Sequence, residues 1–186
     1  MKNSNNTINI SCFGAIRPLK NHLSQALAAI HFADQQGWHL RFHINATRQE
    51  QQGQNILKNL RGVFDHLINH ELVEHQWMGH REFMNVLRTE IDLGMQVSYT
   101  ETYNIVAADH IAAGVPLVTS SEVRFVLPIF YADPNSVPSM VRKLDWAWRL
   151  RHCGIVTANR WLLKRNNSQS QKAWLESISK LIDKNK

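Results

Sequence analysis

The segment Ser98–Pro116, which reads SYTETYNIVAADHIAAGVP, decides the fold. Apolar residues alternate with other residues over 93–97, just before it, and this is the pattern of a β-strand. Ser98 and Glu101 have the S-x-x-E spacing of a capping box, so we expect a helix to start here with Glu101 in its first turn. A glycine and a proline end that helix, and residues 116–119 predict the next strand. The segment is therefore a strand–helix–strand unit, the building block of a parallel sheet.

Outward from this unit, strand-like and helix-like segments alternate along the chain. Strands are predicted at Asn5–Phe13, Trp38–Asn45, Leu72–Gln76, Asp92–Ser98, Pro116–Thr119 and Ile129–Tyr131. Apolar residues at helical spacing separate most of them, and two further helical stretches are expected after residue 154. This alternation predicts an α/β fold: a Rossmann-like, doubly wound parallel sheet with helices on both faces and a helical C-terminal tail.

Charge divides the chain into two parts. Residues 141–186 carry eleven Lys and Arg against three Asp and Glu, a balance of +8, whereas residues 1–140 have a balance of −2. We therefore expect a Rossmann-like domain over 1–140 and a basic, Trp-containing helical segment over 141–186 packed on it. Such a segment suits nucleic acid or an anionic membrane surface, or it packs on a neighbouring domain with its cations in solvent.

Cysteine usage and hydropathy indicate the compartment. Cys12 and Cys153 have neither the spacing of a disulfide framework nor that of a metal site, so both are expected to be reduced. The start of the chain has no signal-like run, and no stretch approaches the roughly 20 apolar residues of a spanning helix. The sequence therefore predicts a soluble, cytoplasmic protein.

Several common site classes are disfavoured by the motifs. None of the ten histidines forms a pair at metal-ligand spacing with a cysteine or carboxylate beside it, so no metal site is expected. Neither a G-x-x-x-x-G-K-[ST] phosphate loop nor a G-x-S-x-G elbow is present, which argues against hydrolases of those two classes.

A candidate site instead follows from where polar residues stand relative to the strands. Lys20, Trp77, Glu101 and Thr119 all come after predicted strands, and ligands of doubly wound sheets bind at the carboxyl ends of the strands. We therefore expect these four residues to converge on one edge of the sheet.

Two carboxylates on the predicted central helix point to the kind of ligand. Glu101 and Asp109 are eight residues apart, so they project from roughly the same side of one helix at two depths. This arrangement suits a ligand that offers hydroxyls at both ends, and the amides of Thr102, Tyr103 and Asn104 suit an anion between them. The alternative is that Glu101 only caps the helix and Asp109 is solvated.

The pattern S-x-x-E-x7-[E/D], followed by A-x-G-V-P-x-V, resembles the donor-binding segment of retaining glycosyltransferases of the GT-B fold, the group 1 or family 4-like class. A second match is the opening of the chain, a strand followed by Gly14, a loop, Lys20-Asn21 and a helix. The resemblance covers about residues 8–150 and implies the C-terminal, donor-binding half of such an enzyme.

The resemblance also implies roles for individual residues. Glu101 would lie beside the donor sugar, and Asp109, where the family usually has Glu, would bind the ribose. Lys20 matches a lysine that neutralises the diphosphate. Arg17 would replace the arginine that the family places directly after Gly14, where this chain has Ala15.

The turn after the third predicted strand would hold the nucleobase. It contains Trp77 and Met78, for which a plain core position is the alternative reading. In the family the basic groups and the helix dipole do the work of a metal, so the resemblance implies a nucleoside-diphosphate sugar as substrate and neither cofactor nor metal.

The function implied is transfer of a sugar, with retention, to an acceptor. The family places the acceptor site on an N-terminal domain for which 186 residues leave no room, so a missing domain, a partner chain or a homo-oligomer is expected. Two other functions stay open: a non-catalytic nucleotide-sugar-binding module or partner subunit, and a nucleic-acid-associated protein that uses the basic tail.

Overall fold

The protein contains one five-stranded sheet, seen in a computed structural model that describes residues 6–184. Its strands are β1 (Thr7–Ser11), β2 (His39–Asn45), β3 (His70–His75), β4 (Leu93–Gln96) and β5 (Leu117–Thr119). The strand order is β3-β2-β1-β4-β5, and every pair is parallel. The predicted fold class is therefore confirmed.

Within residues 6–184, six α-helices connect or follow these strands. They are α1 (His22–Gln36), α2 (Gly53–Phe64), α3 (His80–Thr89), α4 (Ile105–Ala113), α5 (Val137–Leu150) and α6 (Ile155–Lys184). Short 3₁₀ turns lie at Pro18–Lys20 and Pro128–Phe130. Because each crossover between parallel strands carries a helix, the loops that follow the strands gather at one edge of the sheet.

The two faces of the sheet differ in chemistry. On one face apolar strand residues form the main core with α1, α2 and α5; they include Ile8, Ile10, Leu40, Phe42, Ile44, Leu93 and Met95. The other face carries buried polar side chains, namely Ser11, His43, Asn45 and Gln96, and α3 and α4 cover it. A smaller apolar cluster around Phe13, Phe83 and Leu87 packs within that second layer.

The central helix starts later than its sequence predicts. α4 begins at Ile105, so Ser98 is not its N-cap and Glu101 lies in the loop before it. Asn104 is the N-cap, and its side-chain oxygen accepts a hydrogen bond from the amide of Ala107 at 2.9 Å. Asn104 Nδ2 also donates to Gln96 Oε1 at 2.9 Å, which fixes this cap to the end of β4. The tertiary contact therefore selects Asn104 over the local S-x-x-E signal.

Two more expectations about elements were wrong. Ile129–Tyr131 is not a strand, because Pro128 starts a 3₁₀ turn there and Tyr131 makes only an isolated bridge to Thr119. The two helical stretches expected after residue 154 are one continuous helix, α6.

The C-terminal part lies directly on the sheet domain. Residue 140 is inside α5, which packs against α1. The first half of α6 contacts α4, where the guanidinium of Arg160 donates to the carbonyl oxygens of Ile111 and Ala112, both at 3.1 Å. Among residues 6–184, no helix has the length and apolar character needed to cross a bilayer.

Candidate functional site

A cavity of about 440 Å³ opens at the carboxyl edge of the sheet, among the loops that follow β1, β2, β3 and β4. All ten residues predicted for the site line it: Gly14, Arg17, Lys20, Trp77, Met78, Glu101, Thr102, Tyr103, Asn104 and Asp109. Thr119, which was expected at the same edge, ends β5 and does not line the cavity. Parallel topology thus brings together residues that are up to 95 positions apart in the chain.

Gly14 forms the turn that ends the first strand. Its φ of 113° lies in the region that favours glycine. Its amide donates to the side-chain oxygen of Asn45 at 2.9 Å, so the turn is tied to the end of β2. Its backbone therefore lies open to the cavity without a side chain in front of it.

Lys20 and Glu101 form an ion pair across the cavity. Lys20 ends the 3₁₀ turn after Gly14, and its side chain is only 10% exposed, against 5% for that of Glu101. Glu101 also accepts a hydrogen bond from Asn104 Nδ2 at 3.1 Å. A lysine and a carboxylate are therefore held face to face at the point where the first and fourth loops meet.

Two arginines, Arg17 and Arg48, line the same cavity. The β1–α1 and β2–α2 loops are joined by hydrogen bonds at Ile16, whose amide donates to the carbonyl oxygen of Arg48 at 2.9 Å. Glu50 then lies 3.6 Å from Arg17 Nη1 and accepts from Arg48 Nε at 2.8 Å. Arg17 Nε is buried and has no hydrogen-bond partner in the described part of the chain. Arg17 thus keeps a donor that a bound anion would satisfy.

Sequence reasoning missed Arg48 and Glu50. They lie in a Gln-rich loop without a recognisable motif, and only the pairing of two loops places them beside Arg17.

The turn after β3 has one exposed aromatic residue. Trp77 is 53% exposed, so it is not a core residue, and Arg48 lies 4.7 Å from the centre of its ring. The amide of Trp77 donates to Thr47 Oγ1 at 2.9 Å, which holds the turn against the neighbouring loop. Met78 is partly buried and packs against the Phe13 cluster. The turn therefore offers a flat apolar surface at the rim of the cavity.

Asp109 lies on α4 and faces the start of α3. Its Oδ1 is 3.1 Å from Nε2 of His80, the first residue of α3. The side chain of Asp109 is 16% exposed, whereas that of His80 is 72% exposed. His80 also lines the cavity and was missed in the sequence, where it had no partner at a recognisable spacing.

The loop between β4 and α4 contains the amides that the sequence placed at a helix N-terminus. Because α4 starts at Ile105, Thr102, Tyr103 and Asn104 precede the helix rather than form its first turn. Tyr103 Oη donates to Asn167 Oδ1 of α6 at 3.2 Å, and its ring lies 5.4 Å from that of Phe125. The long C-terminal helix is thus in direct contact with a loop that lines the cavity.

A buried histidine, His110, lies on α4, the helix that follows this loop. His110 Nδ1 lies 2.7 Å from the carbonyl oxygen of Val106, so it carries the proton, and Nε2 accepts from Ser11 Oγ at 2.7 Å. Burial lowers the pKa of His110 to about 4. The imidazole is therefore neutral at neutral pH and joins α4 to β1.

Other polar atoms near the carboxyl ends of the strands have no partner within residues 6–184. They are the hydroxyls of Ser98, Thr119 and Ser120. Burial, followed by the charge of Lys20, lowers the pKa of His22 to about 3, so this ring is neutral too.

No protein-family model matches the sequence, and no curated protein matches it. Solved structures do match the fold. Trehalose-6-phosphate synthase OtsA aligns with a TM-score of 0.76 and 17% identity, over 94% of this chain and 44% of the other. A structure described as trehalose-6-phosphate from E. coli bound with UDP-2-fluoro glucose gives 0.74 and 18%, over 94% and 44%.

A shorter protein also matches. The catalytic domain of cholesterol-α-glucosyltransferase from Helicobacter pylori aligns with a TM-score of 0.65 and 16% identity, over 85% of this chain and 98% of that one. By contrast, the chain spans less than half the length of the trehalose-6-phosphate synthases that it matches, for example 46% of one of them. The chain therefore has the fold of one half of a GT-B glycosyltransferase, as the sequence resemblance implied.

Proposed function

We propose that this chain is the donor-binding part of a glycosyltransferase that uses a nucleoside-diphosphate sugar and retains the configuration at the transferred carbon. The observation that carries the proposal is the charge arrangement of one cavity. Lys20 and Arg17, the latter with a buried donor that has no partner among the described residues, stand with Glu101 and Asp109 at the carboxyl edge of a parallel sheet.

The cations would act on the leaving group. When the bond between sugar and diphosphate breaks, negative charge grows on the diphosphate oxygens. Lys20 Nζ and the guanidinium of Arg17 would stabilise that charge in a partly water-excluded cavity, where such contacts are stronger than in bulk water. We propose that these two cations do this work without a bound metal ion.

The carboxylates and the Trp77 turn would hold the rest of the donor. Glu101 accepts hydrogen bonds readily, as its contact with Asn104 shows, and would orient the hydroxyls of the sugar. Asp109 would accept from the ribose hydroxyls. The exposed ring of Trp77, with Met78 beside it, would pack against the base.

We propose that the acceptor site lies in a part of the enzyme outside these 186 residues. The matched synthases have chains more than twice as long, and an additional domain or a second chain would face the cavity. Cys12 and Cys153 are both free thiols, which suits a reducing compartment, and we propose the cytoplasm.

Binding of nucleoside diphosphates to the purified chain tests this proposal. UDP, GDP, ADP and CMP would be compared by thermal shift and calorimetry, with and without magnesium. At 100 times its dissociation constant, a ligand of the folded state adds about 2.7 kcal/mol of stability. We expect one diphosphate to stabilise the protein, and UDP is the first candidate because a matched structure holds a UDP sugar.

The control separates the cavity from the rest of the surface. Lys20→Met should abolish the response, whereas Lys58→Met, at an exposed position of α2 outside the cavity, should leave it intact. If no nucleotide stabilises the protein, the proposal is wrong. If a nucleotide binds but a complete system with acceptor shows no transfer, the chain is a binding module instead.

A further inference from the structure

Three potential metal ligands meet on the polar face of the sheet, away from the nucleotide cavity. His43 lies on β2, His75 ends β3, and Glu90 directly follows α3. Each offers one ligand atom, and these atoms all lie within 4.8 Å of one another. None of the three residues lines the cavity described above. They therefore form a separate cluster, which the resemblance to glycosyltransferases does not use.

The two imidazoles are hydrogen-bonded to each other through one nitrogen of each ring. His43 Nδ1 lies 2.9 Å from His75 Nε2, and the rings are nearly parallel, with an interplanar angle of 23° and centres 5.2 Å apart. In a tetrahedral site, neighbouring ligand nitrogens are a little over 3 Å apart, given Zn–N distances of about 2.0–2.1 Å. One of these nitrogens carries the proton of their hydrogen bond, so an ion would bind between them by replacing that proton while one ring rotates.

The proton of His43 is on the other nitrogen. Its Nε2 lies 3.0 Å from Asn9 Oδ1, which is an acceptor, so Nε2–H donates and Nδ1 keeps its lone pair. Asn9 is oriented by Asp92, whose Oδ2 accepts from Asn9 Nδ2 at 3.2 Å. Metal-binding histidines are typically fixed in this way, with the second ring nitrogen donating to an oxygen.

Charge and burial also suit a cation. His43 is fully buried and His75 is half-buried, so the two imidazoles lie in a partly enclosed place. Glu90 is exposed and supplies one negative charge and a route from solvent. Arg41 brings a positive charge near both histidines. Its Nε donates a hydrogen bond to Glu71 Oε2 at 3.0 Å, and that carboxylate offsets the charge.

We propose that His43, His75 and Glu90 bind a divalent transition-metal ion, with Zn²⁺ as the best match to two imidazoles and one carboxylate. Water would complete the coordination. The ion would tie the end of α3 to β2 and β3, and the opposite end of α3 carries His80 at the nucleotide cavity. The site would thus stabilise the layer that forms one wall of the cavity, and it does not depend on the proposed function.

Metal titration of the stripped protein tests the site. Zn²⁺ should raise the melting temperature, and Co²⁺ should give the visible absorption of a tetrahedral complex. Mg²⁺ should do neither, because it prefers oxygen ligands. Substitutions are best made at the two more accessible residues, since a change at fully buried His43 risks the fold itself. Circular dichroism confirms that each variant is folded.

Matched controls make the result specific. Glu90→Gln should weaken Zn²⁺ binding by at least about tenfold, and His75→Gln should abolish the Co²⁺ spectrum. The exposed residues Glu82 and His66 serve as controls, and Glu82→Gln and His66→Gln should bind as the native protein does. The proposal is overturned if the native protein shows neither a Zn²⁺ shift nor a Co²⁺ spectrum, or if His75→Gln binds as tightly as the native protein.

Discussion

Lys20 and Glu101 lie 81 residues apart in the chain and form an ion pair in which neither side chain is more than 10% exposed. The charges of this lysine and this carboxylate therefore neutralise each other when no ligand is bound. In the proposed function, a diphosphate would displace Glu101 from Lys20, and sugar hydroxyls would then bind the released carboxylate. Binding of the donor would exchange one set of polar contacts for another rather than desolvate unpaired charges, which keeps its cost low.

The first prediction concerns this pair. Glu101→Gln should lower the free energy of unfolding by about 2 kcal/mol, because the nearly buried ammonium of Lys20 loses its counter-charge. The affinity for a nucleoside diphosphate should rise at the same time, since Lys20 is no longer held, while sugar transfer should fall. Urea denaturation measures the stability, calorimetry measures the affinity, and an assay of the complete enzyme with acceptor measures sugar transfer. Glu122→Gln, at an exposed position, is the control, and unchanged values for Glu101→Gln would contradict the prediction.

Asp109 gives a second prediction, which rests on the proposed function. Asp109→Asn should weaken binding of the ribonucleotide about tenfold, because a charged hydrogen-bond acceptor is replaced by a neutral amide. A 2′,3′-dideoxy analogue, which lacks the ribose hydroxyls, should bind both proteins with equal affinity. His80→Ala serves as the comparison, since it removes the partner of Asp109 and leaves the carboxylate in place. Equal losses for both nucleotides would show that Asp109 acts only through the fold.

Gly94 on β4 tests the packing behind the cavity. A Cβ atom there would lie 2.7 Å from Leu117 Cδ1 and 2.8 Å from His110 Nε2, and it would overlap His110 Cδ2 as well. Gly94→Ala should therefore lower the free energy of unfolding by about 3 kcal/mol. Gly62→Ala is the matched control, because nothing lies within 4 Å of its added Cβ in α2, and it should stabilise by about 0.5–1 kcal/mol. Chemical denaturation measures the free energy of unfolding of both variants. An unchanged value for Gly94→Ala would contradict the prediction and show that α4 can move away from β4.

His110 predicts how stability depends on pH. Burial lowers its folded pKa to about 4, whereas an exposed histidine titrates near 6.5. Between these values the unfolded chain binds a proton that the folded protein does not. Acidification from pH 6.5 towards pH 4 therefore favours unfolding, by up to roughly 3 kcal/mol from this group, and stability above pH 6.5 is independent of it.

Urea titrations at pH 7, 6 and 5 measure this dependence. His110→Gln removes the titrating group, so its stability should fall less steeply with acidification than that of the native protein. His66→Gln changes an exposed histidine and should leave the slope unchanged. Equal slopes for the native protein and His110→Gln would mean that His110 is protonated without cost.

Much of this site was predictable because the order and direction of the strands bring its residues to one edge of the sheet. Once strands and helices alternate, the carboxyl ends of parallel strands share an edge, so Lys20, Trp77 and Glu101 had to come together. The start of α4 was not predictable in the same way. Ser98 and Asn104 are both good N-caps, and the choice depends on Gln96, a buried strand residue whose contact with Asn104 is invisible in the local sequence.

Residues without a local motif escaped prediction for a different reason. Arg48 reaches the cavity only because two loops pair at Ile16. His43 and His75 are 32 residues apart and belong to no local motif, and they meet because β2 and β3 are paired, with His75 opposite Asn45, two residues after His43. Such groups become visible only when the strand order is known.

The unequal faces of the sheet have a consequence for how the protein holds its shape. An apolar layer can tolerate small slips, since one aliphatic contact replaces another. The layer of α3 and α4 cannot, because His110 of α4 must meet Ser11 of β1 for their buried groups to be satisfied. Those two helices also carry His80 and Asp109. The place of Asp109 at the cavity therefore depends on a buried polar pair, His110 and Ser11, that does not itself line the cavity.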